Sequence, residues 1–152
     1  MKMQSPKELI MVRPAAFGYD PDTAASNVFQ HEPSETELRK CETNALSEFD
    51  NAVMALRNLG VKITVFNELA SETKKPDSVF PNNWFSSHNN GMIVIYPMAA
   101  KSRRLEKRFD IIEYLQNNFK VSYDYDFNYF EQYIIYIKIR NSLHKKRNII
   151  KY

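Results

Sequence analysis

Glycine is scarce in this 152-residue chain, with three residues, the last of them Gly91. Beyond that point the chain lacks the cheapest residue for turns that need positive φ. Cysteine is scarcer still: Cys41 stands alone, so no disulfide forms within the chain, and a cytoplasmic setting is the default expectation. No run of about 18 apolar residues occurs, so no helical membrane span is expected. The N-terminus, MKMQSPKELIMVRP, lacks an apolar stretch of signal-peptide length. What remains is ordinary globular composition, 43% hydrophobic and 26% charged, in a chain of single-domain size.

The net charge of +3 is uneven. Residues 1–118 carry 14 basic and 15 acidic side chains, whereas residues 119–152 carry 7 and 3. Seven of the nine tyrosines also lie between 114 and 152. The tail's KKR with interleaved tyrosines could meet phosphates and stack on bases. Three adjacent cations are too few to define such a face, and no nucleic-acid partner is expected.

Apolar spacing places the elements. LIMVR at 9–13, stopped by Pro14, predicts a strand, and residues 14–33 read as a loop. Ser34 with Glu37 fits a capping box, and Leu38, Cys41, Ala45, Phe49, Val53 and Leu56 recur at helical spacing up to a C-terminal Gly60. VKITVF at 61–66 and MIVIY at 92–96 predict strands. Ser102 is placed to cap a second helix with Leu105, Phe109, Ile112 and Leu115 on its apolar face. Residues 119–123 predict one more strand. The order β, α, β, β, α, β indicates an α/β protein. From about residue 124 the text changes, and YIIYIKI at 133–139 is β-prone without a continuing amphipathic plan.

One stretch fits none of these elements. PDSVFPNNWFSSH at 76–88 packs an acid, two prolines, two adjacent asparagines and the only tryptophan into thirteen residues. The simplest reading of Asp77, Asn82 and Asn83 is turn formation, because Asp and Asn side chains bond nearby backbone. Trp84 and Phe85 read as core anchors. Arg103, Arg104, Lys107 and Arg108 could form a solvated helix face, but cations at a helix N-terminus oppose its dipole.

Three segments together carry a resemblance: MVRPAAFGYDPDTAASNVFQ at 11–30, PDSVFPNNWFSSH at 76–88 and GMIVIYPMAAKSRRLEKR at 91–108. Over roughly residues 8–123 the chain resembles the guanidino-group-modifying (pentein) superfamily, which includes arginine deiminases, dimethylarginine hydrolases and amidinotransferases. Its nearest likeness there is to the amidinotransferase-like citrulline-utilisation hydrolases. The resemblance implies a five-bladed α/β propeller of ββαβ units. This chain, about half the length needed, would supply about two blades. It also implies a Cys nucleophile, a His acid–base, no cofactor, and a small guanidino or ureido amino acid as ligand. The family's acidic motif falls on Asp77, Asn82 and Asn83, and Arg103 and Arg104 match its Ser-Arg-Arg segment, where they could reach a substrate carboxylate. Where many relatives carry acids at 82 and 83, this chain has amides. Carboxylates suit a cationic guanidinium, whereas an amide both donates and accepts and suits a neutral ureido group.

The resemblance supplies no match for the family's nucleophile, its His, or its glycine-containing acidic strand. Cys41 reads as a small core residue. His31 and His144 read as surface residues, and His88 lies in the motif but not at the family's acid–base position. The chain is therefore expected to be a truncated N-terminal part, 1–123, with a divergent tail at 124–152. The tail's Tyr, Ile, Asn and Lys text suits a reading-frame shift near residue 132. Alone, such a part is expected to be inactive, or to be a non-catalytic domain that binds a ligand or pairs with another chain. Open sheet edges favour self-association.

Overall fold

The computed structural model describes residues 8–24, 27, 31–68 and 73–131. The β-prone stretch at 133–139, and all but the first residues of the divergent tail, lie outside them. The elements are β1 (Glu8–Arg13), α1 (Pro21–Ala24), α2 (Glu35–Asn58), β2 (Lys62–Asn67), β3 (Phe85–Ser87), β4 (Met92–Ile95), α3 (Lys101–Arg104), α4 (Phe109–Asn118) and β5 (Tyr123–Asp126). The mixed α/β class expected from the spacing is present as two small sheets. β1 pairs parallel to β2, and the second sheet has the order β3-β4-β5, antiparallel then parallel. The segment from β3 to β5, with α4 as the crossover, is a ββαβ unit.

β1 shows why the sheets stay together. Successive side chains of a strand point to opposite faces. Ile10 and Val12 pack into a core with Trp84, Ile93, Ile95, Ile111 and Leu115, while Leu9 and Met11 pack with Phe49, Val53 and Ile63 beneath α2. The strand thus belongs to both cores at once. Trp84 is 1% exposed and Ile111 0%, so these two anchor the larger core. Arg108, also buried, fastens α4 to β2: Nη1 donates to the Asn67 carbonyl at 2.6 Å, and the guanidinium lies 5.4 Å from the Phe66 ring centroid. Such a stacked cation adds attraction to the ring face.

α2 forms as its sequence predicts. The Ser34 hydroxyl and the Glu37 carboxylate cap it reciprocally. Gly60, at φ 83°, ends it, with the Gly60 N–H donating to Arg57 and the Val61 N–H to Leu56. That pair of bonds is the Schellman arrangement.

Several expectations need correction. The second helix is two helices: α3 ends at Arg104, and α4 begins at Phe109. Its buried face is Ile111, Ile112 and Leu115, with Leu105 and Phe109 exposed. Ser102 caps nothing, Ala100 being the N-cap of α3; the Ser102 hydroxyl is instead drawn to Asp20. The last strand is Tyr123–Asp126 rather than 119–123, because residues 119–121 link α4 to the sheet. The loop at 14–33 contains α1, and the irregular stretch at 76–88 contains β3 after a 3-10 turn at Pro81–Asn83.

Gly91 is required by a close approach. It closes the β3–β4 hairpin at φ 81°, and its carbonyl accepts the Ser122 N–H at 2.9 Å. A Cβ there would lie 2.5 Å from the Lys120 carbonyl oxygen, whereas at Gly60 it would meet open space. Both glycines sit at positive φ, where a Cβ costs about 1–2 kcal/mol. Gly91→Ala carries the clash as well and is expected to cost about 3 kcal/mol or more, against about 1 for Gly60→Ala. Urea unfolding midpoints of the two variants check the difference.

Candidate ligand cavity

The site starts from the length of α2. Its 24 residues span about 36 Å at 1.5 Å each, whereas a six-residue strand spans about 20 Å. The C-terminal half of the helix, with Phe49 and Val53, packs on β1 and β2. The N-terminal half reaches further, and its Glu37, Leu38 and Cys41 line a cavity of about 660 Å³. Cys41 is therefore half-buried at a cavity wall, not a core residue. His31, ahead of the helix, lines the same cavity.

Asp77, Asn83 and Arg103 supply the polar side of this cavity, with Phe17 and Phe80 beside them. The two rings meet edge to face at 6.2 Å. Asn82 goes elsewhere. A 3-10 helix turns about 120° per residue, so its neighbours diverge. Asn82 lines a second cavity of about 740 Å³, together with β1 residues and His88. Arg104 also turns away: its Nε donates to the Met98 carbonyl at 2.8 Å and lies 3.3 Å from a Glu131 oxygen. Of the five residues singled out from the sequence, three share one cavity and two do not.

Behind the cavity wall lies a buried charge cluster. Glu106 is 3% exposed and grips Arg103, whose Nε lies 3.1 and 3.0 Å from the two carboxylate oxygens and whose Nη2 donates at 3.0 Å. The Arg103 Nε is 3.7 Å from an Asp77 carboxylate oxygen. Asp20, 1% exposed, accepts from the Ser102 hydroxyl at 2.8 Å and from the Asp22 N–H at 2.9 Å. Asp22 accepts from the Ser102 N–H at 3.1 Å. The turn carrying Asp77 is fixed by the Phe80 N–H, which donates to the Asp77 carbonyl at 3.0 Å, and by the Ser78 hydroxyl, which donates to Glu68 at 2.8 Å.

Burial raises the carboxyl of Asp77 above its ordinary value, against the pull of Arg103 and with the help of Asp20. Burial pushes Glu106 from its ordinary 4.5 up to about 7; Arg103 opposes this, and Asp77 and Asp20 add to it. Sequence reading missed both Glu106 and Asp20. Glu106 was legible as an i, i+3 partner of Arg103. Asp20 had no local signal, since its partner Ser102 is 82 residues away. Among the described residues, no group of three or more His, Cys, Asp or Glu is placed to hold a metal ion. Likewise no described helix is long and apolar enough to cross a membrane.

A buried acid pair beside a lone guanidinium, opening onto a cavity with an amide and two rings, suits a small polar head group with N–H donors. The family model of N,N dimethylarginine dimethylhydrolase, eukaryotic, matches residues 13–142. The chain belongs to this family. The family lies within the guanidino-group-modifying superfamily expected from the motifs, on its dimethylarginine hydrolase branch. The match spans all three cavity residues, both members of the Arg pair and the Asn pair. No curated protein and no solved structure matches the chain.

The raised carboxyls set a pH dependence of stability. A group whose folded value exceeds its unfolded one keeps its proton in the fold over a window where the unfolded chain has lost it. Stability then falls as pH rises through that window, here from about 4.5 to 7 for Glu106, by about 3 kcal/mol. Asp50 and Asp110, held low by bonds from Arg13 and Arg108, act at more acid pH. The melting temperature is expected to fall between pH 5 and 7.5, and Glu106→Gln to flatten most of that fall, as thermal unfolding at several pH values would show.

Proposed function

We propose that the cavity is the head-group site of a dimethylarginine-hydrolase-type protein and binds the guanidino or ureido group of an arginine- or citrulline-type amino acid. The observation that carries this reading is the convergence of Asp77, Asn83 and Arg103 on one cavity within the family match. Asp77 would accept the head-group N–H donors. Asn83 both donates and accepts, which admits a guanidinium or a ureido oxygen. Arg103, held by Glu106, fixes the Asp77 side of the cavity. Arg104 and Asn82 are assigned no contact with the head group, given their other placements. The ββαβ unit from β3 to β5 supports the reading of a propeller blade, with β1, α2 and β2 as part of a second.

Binding without turnover is the activity assigned to this chain by itself. Hydrolysis at a guanidino carbon needs a thiolate, its base and groups that receive developing charge, in one constellation. Cys41 is the only thiol, and it lies within α2, outside the three segments that carry the family resemblance. The exposed Leu105 and Phe109 favour pairing with a second chain as an accompanying role.

Cys41 provides the test. L-Arginine, L-citrulline or N,N-dimethylarginine is expected to slow alkylation of Cys41 by iodoacetamide several-fold, and Asp77→Ala is expected to abolish the protection. Mass spectrometry of the labelled chain measures both. Unchanged alkylation with all three ligands at millimolar concentration would refute the site. Release of ammonia or dimethylamine above the buffer rate would refute the assignment of binding without turnover.

A further inference from the structure

The second cavity, of about 740 Å³, is lined by residues of two strands that lie in different sheets. β1 contributes Leu9 and Met11, and β3, the terminal strand of its sheet, contributes Phe85, Ser86 and Ser87. Strand alternation sends Phe85 into the core and turns Ser86 to the opposite face, which His88 shares two residues further on. There Ser86 stands between two partners: its Oγ is 2.9 Å from His88 Nε2 and 2.8 Å from the Tyr96 hydroxyl. In the order Tyr96 O–H to Ser86 Oγ and Ser86 O–H to His88 Nε2, the imidazole nitrogen accepts, and the serine proton is aimed at a base. The ladder also directs the backbone. The His88 N–H donates to the Met92 carbonyl and the Tyr96 N–H to the Trp84 carbonyl, so positions 84, 86 and 88 are the ones bonded to β4. The N–H of Ser87, next in the chain to Ser86, therefore points to the free edge of β3.

A serine hydroxyl aimed at an imidazole, with the following N–H turned outward, brings together a nucleophile, its base and a donor for a developing oxyanion, which is what acyl transfer needs. Much of the remaining wall is apolar, with Leu9, Met11, Leu115 and Phe119, and the volume suits a small molecule. We propose that this cavity is a second reaction site, at which Ser86 and His88 hydrolyse neutral esters of apolar carboxylic acids. Ser86 Oγ bonds to the ester carbonyl carbon as its proton passes to His88 Nε2, and the Ser87 N–H receives the carbonyl oxygen. The bond from that carbon to the alcohol oxygen breaks, and His88 returns the proton to the departing alcohol. Water then attacks the acyl-serine and gives a proton to His88; Ser86 leaves with that proton as the free acid forms. The acyl chain lies against Leu115 and Phe119. Tyr96 is a positioning residue, which holds the Ser86 hydroxyl toward His88. None of these groups lines the Asp77 cavity, so the proposal is independent of the head-group reading. Binding without turnover concerns the guanidino and ureido ligands of that other cavity.

An alkyl fluorophosphonate is the probe, because its phosphorus bonds to a serine that has a base beside it and fluoride departs, leaving a stable adduct. In the full chain, octyl fluorophosphonate is expected to modify Ser86, as tandem mass spectrometry of the digest would locate, and to react about tenfold faster than ethyl fluorophosphonate. p-Nitrophenyl butyrate is expected to be cleaved over repeated turnovers, and prior labelling to stop its cleavage. His88→Ala should slow the labelling about a hundredfold. Tyr96→Phe should lower the limiting labelling rate several-fold and leave the half-saturating concentration unchanged, a split that a merely structural role would not produce. Ser86 is half-buried and His88 exposed, and the adduct is read on the natural chain, so the test does not depend on a variant that folds. No adduct, an adduct on Cys41 or another residue in place of Ser86, or labelling that His88→Ala leaves unchanged would overturn the pair as a reaction site. Equal rates for the octyl and ethyl probes would overturn the apolar acid as substrate class, and an adduct without turnover of the butyrate ester would overturn hydrolysis. An unchanged limiting rate in Tyr96→Phe would remove Tyr96 from the proposal.

Discussion

Arg103 is the cation on which the cavity wall depends, because Glu106 and Asp77 both face it and Asp20 adds a third negative charge nearby. A buried carboxylate without a partner carries a heavy desolvation cost, and here one guanidinium serves two, Glu106 and Asp77. Its planar, forked geometry matters as much as its charge. Nε and Nη2 can both meet one carboxylate, which a lysine ammonium cannot do in the same fixed plane. The loop before α1, the turn at Asp77 and the short helix α3 are brought together at this point, through Ser102 as well as through Arg103.

The second arginine of the pair does different work. Arg104 and Lys107 converge on Glu131, which also accepts the Met98 N–H. Burial tends to raise that carboxyl, but Lys107, the Met98 N–H and Arg104 together lower it. Adjacent residues at the end of a four-residue helix thus serve two separate networks, one at the cavity and one tying the segment after β5 to α3. Asn82 and Asn83 divide in the same way between two cavities. A motif written as consecutive letters does not share a destination when the backbone between the letters turns tightly.

What was legible in the sequence follows from this. α2 was readable at both ends because its determinants are local: a capping box at Ser34 and a glycine at position 60. β1, β2 and β4 were readable from β-branched apolar runs. The break between α3 and α4 was not, since Leu105 and Phe109 keep helical spacing with Ile112 while being exposed. Buried Arg108 pins the start of α4 by a long-range bond, to the Asn67 carbonyl 41 residues away. The place of Cys41 was missed for a similar reason. Helical periodicity tells which face is apolar, but not how far along the helix the sheet beneath it extends. The motif at 76–88 located the cavity, and the charge cluster behind it depended on Asp20, which only the fold brings near.

β1 divides its alternate residues between the two cores, and that has a consequence for how the molecule comes apart. Ile10 and Val12 cannot leave one core without Leu9 and Met11 being strained in the other. The two halves therefore share one strand as a common beam, and loss of either should draw the other with it in one transition. The same sharing makes the strand intolerant of an inserted or deleted residue. A shift of one position would exchange the two sets of side chains and leave both cores wrongly filled.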